Sequence, residues 1–503
     1  MQIKNLDSEI CGKVPVHLTN QIQAYGALMV IDAATLEVIQ VSENISKIFQ
    51  RPFEEIVNTP LSDYLSSDAI EEISTNFTTD QAERLPAAWT IGGVEYLALL
   101  HRKNDCLLAE IDLNPLVPAK EDSFSQMYQK LRVSMASIES ASDLKETCSV
   151  ATRELKRMSG FDKVMIYQFD EEWNGTVLAE EAEPSMERYL NLTFPSSDIP
   201  PQARKLYLKN PYRYIPDRTY EPVSLYPVIN PLTNSFTDLT DCNLRSVAGV
   251  HLEYLKNMGV TASMSTRIMH HDKLWGLIAC HHKTAKSIDY KTCSMFEMFS
   301  RIISMKISSL QNQALLNAET TLTTNYSQLI ESIYKSRDLD SELLKNSGAL
   351  RLFNASGAVV TRRGKYLTAG TVPATDHLDE LVLWLHTREP KRVFHTFSLV
   401  NEYEYASEYQ DIASGMLVIP INYLKDEYVI VFRPEKIYEI NWGGNPDERI
   451  QFESDQKNYH PRSSFRQWQE EVRGMSTEWT PAELRFAETL RSFIYEYETS
   501  GTH

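Results

Sequence analysis

Phe194-Pro195-Ser196-Ser197-Asp198-Ile199-Pro200 is the stretch on which the reading of this chain turns. Pro195 and Pro200 each hold φ near about −65°, so Asp198 sits on a stiffened backbone. Alone, such an aspartate reads as a turn or cap residue. Two later stretches change its context: Val250-His251-Leu252-Glu253-Tyr254 and Cys280-His281-His282. An imidazole both donates and accepts hydrogen bonds and titrates near neutral pH. His281 and His282 fall on a strand pattern, face opposite ways and so do not share a metal. Upstream stands Cys11-Gly12-Lys13-Val14-Pro15-Val16-His17; downstream stands Pro461-Arg462-Ser463-Ser464-Phe465, flanked by Trp442-Gly443-Gly444 and Trp479.

The rest of the chain sets limits. Its 503 residues suffice for about three domains. With 42% hydrophobic and 23% charged residues it has globular composition. A net charge of −18 argues against nucleic acid or an anionic membrane as partner. Six scattered cysteines form no C-x-x-C pair, which suggests reduced thiols and neither a zinc site nor a disulfide framework. No apolar run reaches the ~18 residues of a membrane span, and the N-terminus lacks a signal pattern. A soluble, cytoplasmic protein is expected.

Strands are predicted over 27–32 and 36–41, turning at Ala33-Ala34-Thr35, with Pro115-Leu116-Val117-Pro118 as a boundary. A helical stretch near 124–158 precedes strands at 163–169 and 175–179. A loop-rich insert covers 192–242, and a hairpin pairs 262–269 with 274–280. Between Leu277 and Ser347 there is neither Gly nor Pro, and Phe296, Phe299, Ile303, Ile307 and Leu310 follow 3/4 spacing. About 45 helical residues there would span roughly 70 Å, a connector rather than a core helix. Further strands are expected at 358–361, 415–420 and 427–432. Residues 442–479 form a long polar excursion. The last helix opens with Thr480 as N-cap, Pro481 at N1 and Glu483 at N3.

In this order and over essentially the whole chain, these motifs resemble those of the bacterial phytochromes. The resemblance implies an α+β chain of three sensor domains joined by long helices: PAS at 1–118 with the N-terminal attachment segment, GAF at 119–325, and PHY at 326–503 with a tongue at about 442–479. It implies a red/far-red photoreceptor with biliverdin in thioether linkage to Cys11. Plant and cyanobacterial members place their cysteine directly before the pocket histidine, where this chain has Val250. The chromophore pocket would comprise Tyr167, Phe194, Asp198, Ile199, Tyr207, Arg213, Arg245, His251, Tyr254, Ser263, Ser265 and His281. Arg213 and Arg245 would grip the propionates, because a planar guanidinium takes a carboxylate in bidentate fashion. A family serine just before the pocket histidine is Ala248 here, with Ser246 as its possible substitute. Arg462 would pair with Asp198 in the dark and give way to Ser464 after light.

The same resemblance implies a homodimer that signals to a kinase or other effector, either beyond this chain or on a separate protein. No kinase or cyclase domain is visible, and no nucleophile–base or metal constellation points to an enzyme. A cyclase signature read on Gly443-Gly444-Asn445-Pro446-Asp447-Glu448 fails at Pro446. The rival reading is a sensor module that holds another ligand, or a bilin that does not switch.

Overall fold

The computed structural model describes residues 17–77, 84–116, 123–345, 348–446, 450–452 and 459–499. Cys11, Pro15 and the Val117-Pro118 boundary lie outside the described residues. The chain divides into two bodies: residues 1–309 with 441–468, and residues 310–440 with 469–503.

In the first body, one sheet runs in the order Gln21–Ile22, Val223–Tyr226, Val38–Ser42, Gly26–Asp32, Cys106–Pro115, Val94–Lys103, Leu85–Ile91. The second predicted strand begins at Val38, because Leu36 takes a left-handed φ of 58° to close the turn after Asp32. Gly26–Asp32 is apolar at nearly every position, the pattern of a strand covered on both faces. Met29 and Ile31 pack towards Ile45, Leu61 and Trp89. Leu28 and Val30 pack against Leu225, Leu239, Cys242 and Leu244, which arrive from the insert.

The expected loop-rich insert therefore carries structure. Its segment Val223–Tyr226 adds a strand to the first sheet, and Pro201–Lys209 forms a helix. Polar locks fix the crossing. The Gln23 side-chain amide donates to Tyr214 O (3.1 Å) and Asn243 O (3.2 Å), and the buried Glu110 Oε2 accepts from Leu244 N (2.6 Å). His101, Glu110 and Cys242 meet here within 4.8 Å. Burial first, then Arg84, pushes the His101 pKa down to about 4.

The second sheet runs Tyr212–Ile215, Ala262–His270, Lys273–His282, Lys163–Phe169, Gly175–Ala182, Thr193–Phe194, with Trp442 pairing in parallel to Thr193 at its edge. The hairpin turns at His271-Asp272, both at positive φ. One face packs Val164, Ile166 and Ile278 onto Phe296, Phe299, Ile303 and Ile307 of the helix Tyr290–Ser336. That helix has 47 residues, roughly 70 Å at 1.5 Å per residue. The stretch near 124–158 is two helices, Ser123–Glu139 and Leu144–Ser159. Asp143 interrupts it as an N-cap: Oδ1 accepts from Glu146 N (2.8 Å), and Glu146 Oε2 accepts from Ser142 N (2.7 Å).

The second body holds a sheet ordered Lys365–Gly370, Gly357–Arg362, Glu427–Arg433, Gly415–Asn422, Phe394–Thr396. Its last helix, Pro481–Thr499, opens as predicted: Glu483 N donates to Thr480 Oγ1 (3.2 Å) and Thr480 N to Glu483 Oε2 (2.8 Å). Among the described residues no helix is long and apolar enough to cross a membrane.

Candidate functional site

The site lies on the second face of the second sheet, where Met165, Tyr167, Phe169, Val177, Phe194 and Leu277 cluster. Strand alternation puts these residues on one side. The register sets Leu277 opposite Tyr167, Ser263 opposite His281 and Arg213 opposite Ser265. His282 points the other way and bonds to Asp162, 3.0 Å from Nδ1 to Oδ2.

After Pro195 the chain makes a tight turn, Ser196–Asp198, and Pro200 then caps the helix Pro201–Lys209. Arg204 ties this corner by donating to Ile199 O (2.7 Å) while its guanidinium lies 4.6 Å from the centre of the Trp173 ring. Ile199 packs into the apolar cluster. Asp198 Oδ2 accepts from Tyr254 OH (2.8 Å) and forms an ion pair with Arg462.

Arg462 is buried. It donates to Gly443 O as well, and its guanidinium lies 5.1 Å from the Phe194 ring centre and 4.8 Å from that of Phe465. Burial opposes its charge, but Asp198 and Tyr254 outweigh burial and hold its pKa above the ordinary value. The glycine pair is needed for this fit. A Cβ at Gly443 would come 2.8 Å from the Phe194 ring, and Gly444 sits at φ +104°. Ser464 is exposed, its Oγ 3.5 Å from Arg466 N, so Arg462 rather than Ser464 holds Asp198 here. Behind it, Ile450–Phe452 pairs antiparallel with Tyr459–Pro461 as a short hairpin.

His251 and Tyr254 share a face of the helix Gly249–Asn257, three residues apart, with rings nearly parallel at 6.1 Å. Burial first, and Arg213 second, push the His251 pKa down to about 4. His281 is buried, and its Nδ1 has no hydrogen-bond partner. Tyr207 and Ser265 bond through their hydroxyls (2.6 Å), and burial raises the phenol pKa of Tyr167, Tyr207 and Tyr254.

Arg213 Nη2 donates to Arg245 O (2.7 Å) and Ser246 O (3.1 Å), and Arg245 Nη1 donates to Thr240 O (3.3 Å). Among the described residues no carboxylate pairs with either guanidinium. Burial and mutual repulsion push Arg245 down to about 9. Two cations near enough to repel each other call for an anion. His281 Nδ1 and Ser197 Oγ are orphaned and call for polar partners. A dicarboxylate with several hydrogen-bonding groups, as a linear tetrapyrrole is, fits this donor set.

Family models match in order: a PAS fold at residues 11–115, a GAF domain at 143–307 and the phytochrome region at 322–501. A solved bacteriophytochrome from the photosynthetic bacterium R. palustris superposes with TM-score 0.83 at 30% identity, covering 98% of this chain and 99% of that one.

The chain belongs to the phytochrome family.

The photosensory core module of Stigmatella aurantiaca phytochrome also superposes, with TM-score 0.81 at 31% identity, covering 98% of this chain and 99% of that one. Cyanobacterial phytochrome B of Nostoc sp. is 34% identical, covering 97% of this chain. The bacteriophytochrome of Xanthomonas campestris is 29% identical, covering 97% of this chain and 78% of that protein. The chain spans 66% and 65% of the length of the two Nostoc phytochromes it matches. The matched models of this phytochrome chain are sensory domains.

The sequence-predicted residues from Tyr167 to His281 converge on one face, together with Arg462. Several partners were not legible in advance. Asn257 donates to Arg462 O (3.2 Å), and Gly443 accepts from Arg462 through its carbonyl. Tyr189 packs 5.5 Å from Phe194 and 6.4 Å from Phe465 between ring centres. Only the Gly443-Gly444 pair, in an otherwise polar segment, carries a sequence signal of close approach.

Proposed function

We propose that this chain is a red/far-red light sensor that binds biliverdin covalently, through a thioether to Cys11. The PAS, GAF and PHY limits 1–118, 119–325 and 326–503 belong to this reading. The observation that carries it is the pair Arg213 and Arg245, two mutually repelling cations whose hydrogen bonds go to backbone carbonyls, with no carboxylate paired to either among the described residues.

When bound, the bilin supplies red absorption and isomerisation about its C/D methine bridge. The chain's own residues do the rest. Arg213 and Arg245 hold the propionates, with Ser263 and Ser265 as hydroxyl donors. Asp198 and His251 face the pyrrole nitrogens. Tyr167, Tyr207, Phe194, Ile199 and Tyr254 wall the ring that turns, and His281 offers it a hydrogen bond. Arg462 holds Asp198 in one state; in the other, Ser464 takes its place and the tongue refolds from hairpin towards helix. The helix Tyr290–Ser336 would carry the change to an effector, in a homodimer.

Purified protein mixed with biliverdin should turn blue-green and change its spectrum reversibly under red and far-red light. A stable colour without photoconversion would leave a non-switching bilin binder. No colour at all would overturn the bilin reading.

A further inference from the structure

A buried pair of charges beside the site has no part in the roles above. Lys163 and Glu180 side chains are each 1% exposed, with Nζ 3.8 Å from Oε1. Lys163 Nζ donates to Glu187 O (2.9 Å) and lies 3.5 Å from the centre of the Tyr189 ring. Glu180 Oε1 accepts from Tyr189 N (3.0 Å), and Arg188 stands 3.9 Å from Oε2. Burying such a pair seldom adds stability over an apolar pair of similar volume, so packing alone does not explain it.

Register explains where the charge acts. Lys163 is the cross-strand partner of His281, and Glu180 that of Met165. Alternation along 163, 165 and 167 puts Lys163 on the same face as Tyr167. Directly opposed residues on one face hold their Cβ atoms about 5 Å apart. The Tyr189 ring above Lys163 also meets Phe194 and the tongue residue Phe465.

We propose that Lys163, held by Glu180 and by the face of Tyr189, is a positioning residue for the bilin site: set opposite His281 in the strand register, its cation adds to burial in disfavouring a charged imidazole, so that the imidazole hydrogen-bonds to the chromophore without carrying charge. The role rests on the bilin reading above. The groups acting on His281 are Lys163 across the strand pair, Ser263 across the hairpin and His251 from the helix Gly249–Asn257, while Glu180 pairs with Lys163. Glu187, Arg188 and Tyr189 come from the connection after Gly175–Ala182. Burial chiefly, then Lys163 and His251, push the His281 pKa down to about 3. Lys163 itself is pushed down to about 8 by burial, with Glu180 opposing, so it carries its charge below that pH.

The test is a histidine NMR titration of the full chain without bilin, with His281 assigned by His281→Gln. Lys163→Met/Glu180→Gln removes both charges and leaves neither buried alone. In that variant the His281 titration should move up by at least about one unit, a tenfold rise in the protonated fraction at a given acidic pH. Lys163→Arg should keep the wild-type curve. A double variant that superposes on wild type, or an Arg variant that shifts as far as the double, overturns the proposal. Should the double variant not fold, wild type still decides. The His281 resonances should move as Lys163 loses its proton near pH 8, and resonances flat from pH 7 to 9 overturn the proposal. A chain that binds no bilin but shows these shifts fails the functional reading alone. A chain that photoconverts without them fails this inference alone.

Discussion

Arg462 meets Asp198 across 264 positions of sequence, with side chains 3% and 7% exposed. The contact binds a residue of the tongue to the corner that the two prolines stiffen. Removing one partner of such a pair leaves the other buried and uncompensated, at about 3 kcal/mol or more. Arg462→Ala should therefore raise amide hydrogen exchange over residues 459–468 on the order of a hundredfold, since each 1.4 kcal/mol is about tenfold. Biliverdin binding and red absorption should survive, while the far-red-absorbing product forms poorly or reverts faster. Unaltered exchange together with normal reversion would remove Arg462 from the switch.

Covalent attachment is expected at Cys11, because Pro15 and His17 follow it at the family spacing and Val250 occupies the alternative position. A thiolate is the nucleophile such a bond needs. The five cysteines at 106, 148, 242, 280 and 293 are all buried. Burial raises the thiol pKa of each of the five, Cys148 and Cys293 to about 12. Cys11→Ser should abolish zinc-induced fluorescence of the denatured protein on a gel yet leave reversible binding. Covalent colour retained in that variant would move the bond to another residue.

What could be read in advance follows a physical divide. The strand 163–169, the hairpin after Ala262, the 47-residue helix and the Thr480–Glu483 cap are local features, written in period, turn residues and caps. The motifs that carry the proposed site are short and chemically unusual, which is why they stand out in the sequence. The strand Val223–Tyr226 was not, because its partners are about 200 residues earlier and its own sequence carries only four residues of pattern. The apolar run Ala27–Ile31 was the available hint: a strand apolar on both faces needs a second cover. Lys163 lies in a strand that was predicted correctly, but nothing local shows that a lysine there is buried opposite a histidine.

Acid should destabilise the bilin-free protein through histidines whose pKa is depressed, His101 and His281 among them. Burial, reinforced by nearby cations, lowers His101 from 6.5 to about 4 and His281 to about 3. Between pH 6.5 and those values the unfolded chain binds protons that the folded chain refuses, so stability is present above pH 6.5 and falls as pH drops. At pH 5 the loss is about 2 kcal/mol for each. Denaturant unfolding at pH 7.5 and pH 5 measures the slope, and His101→Leu should flatten it by the His101 share, about 2 kcal/mol at pH 5. An equal slope in the variant would mean that His101 takes up no proton on unfolding.

The guanidiniums of Arg213 and Arg245 repel each other, and their hydrogen bonds go to backbone carbonyls. A ligand with two carboxylates relieves that repulsion and gains charged hydrogen bonds of about 1.5–3 kcal/mol each. Biliverdin should consequently bind much more tightly than its dimethyl ester, which has the same chromophore and no charge on the side chains. The measurement belongs in a Cys11→Ser background, where no covalent bond masks the equilibrium, and is read by absorbance titration. Arg245→Gln or Arg213→Gln should weaken biliverdin about tenfold to a hundredfold. Neither should change binding of the ester. Combining both substitutions should erase the preference for the diacid. Equal affinity of wild-type protein for acid and ester would show that these arginines hold no propionate, and the assignment that carries the proposed function would fall with it.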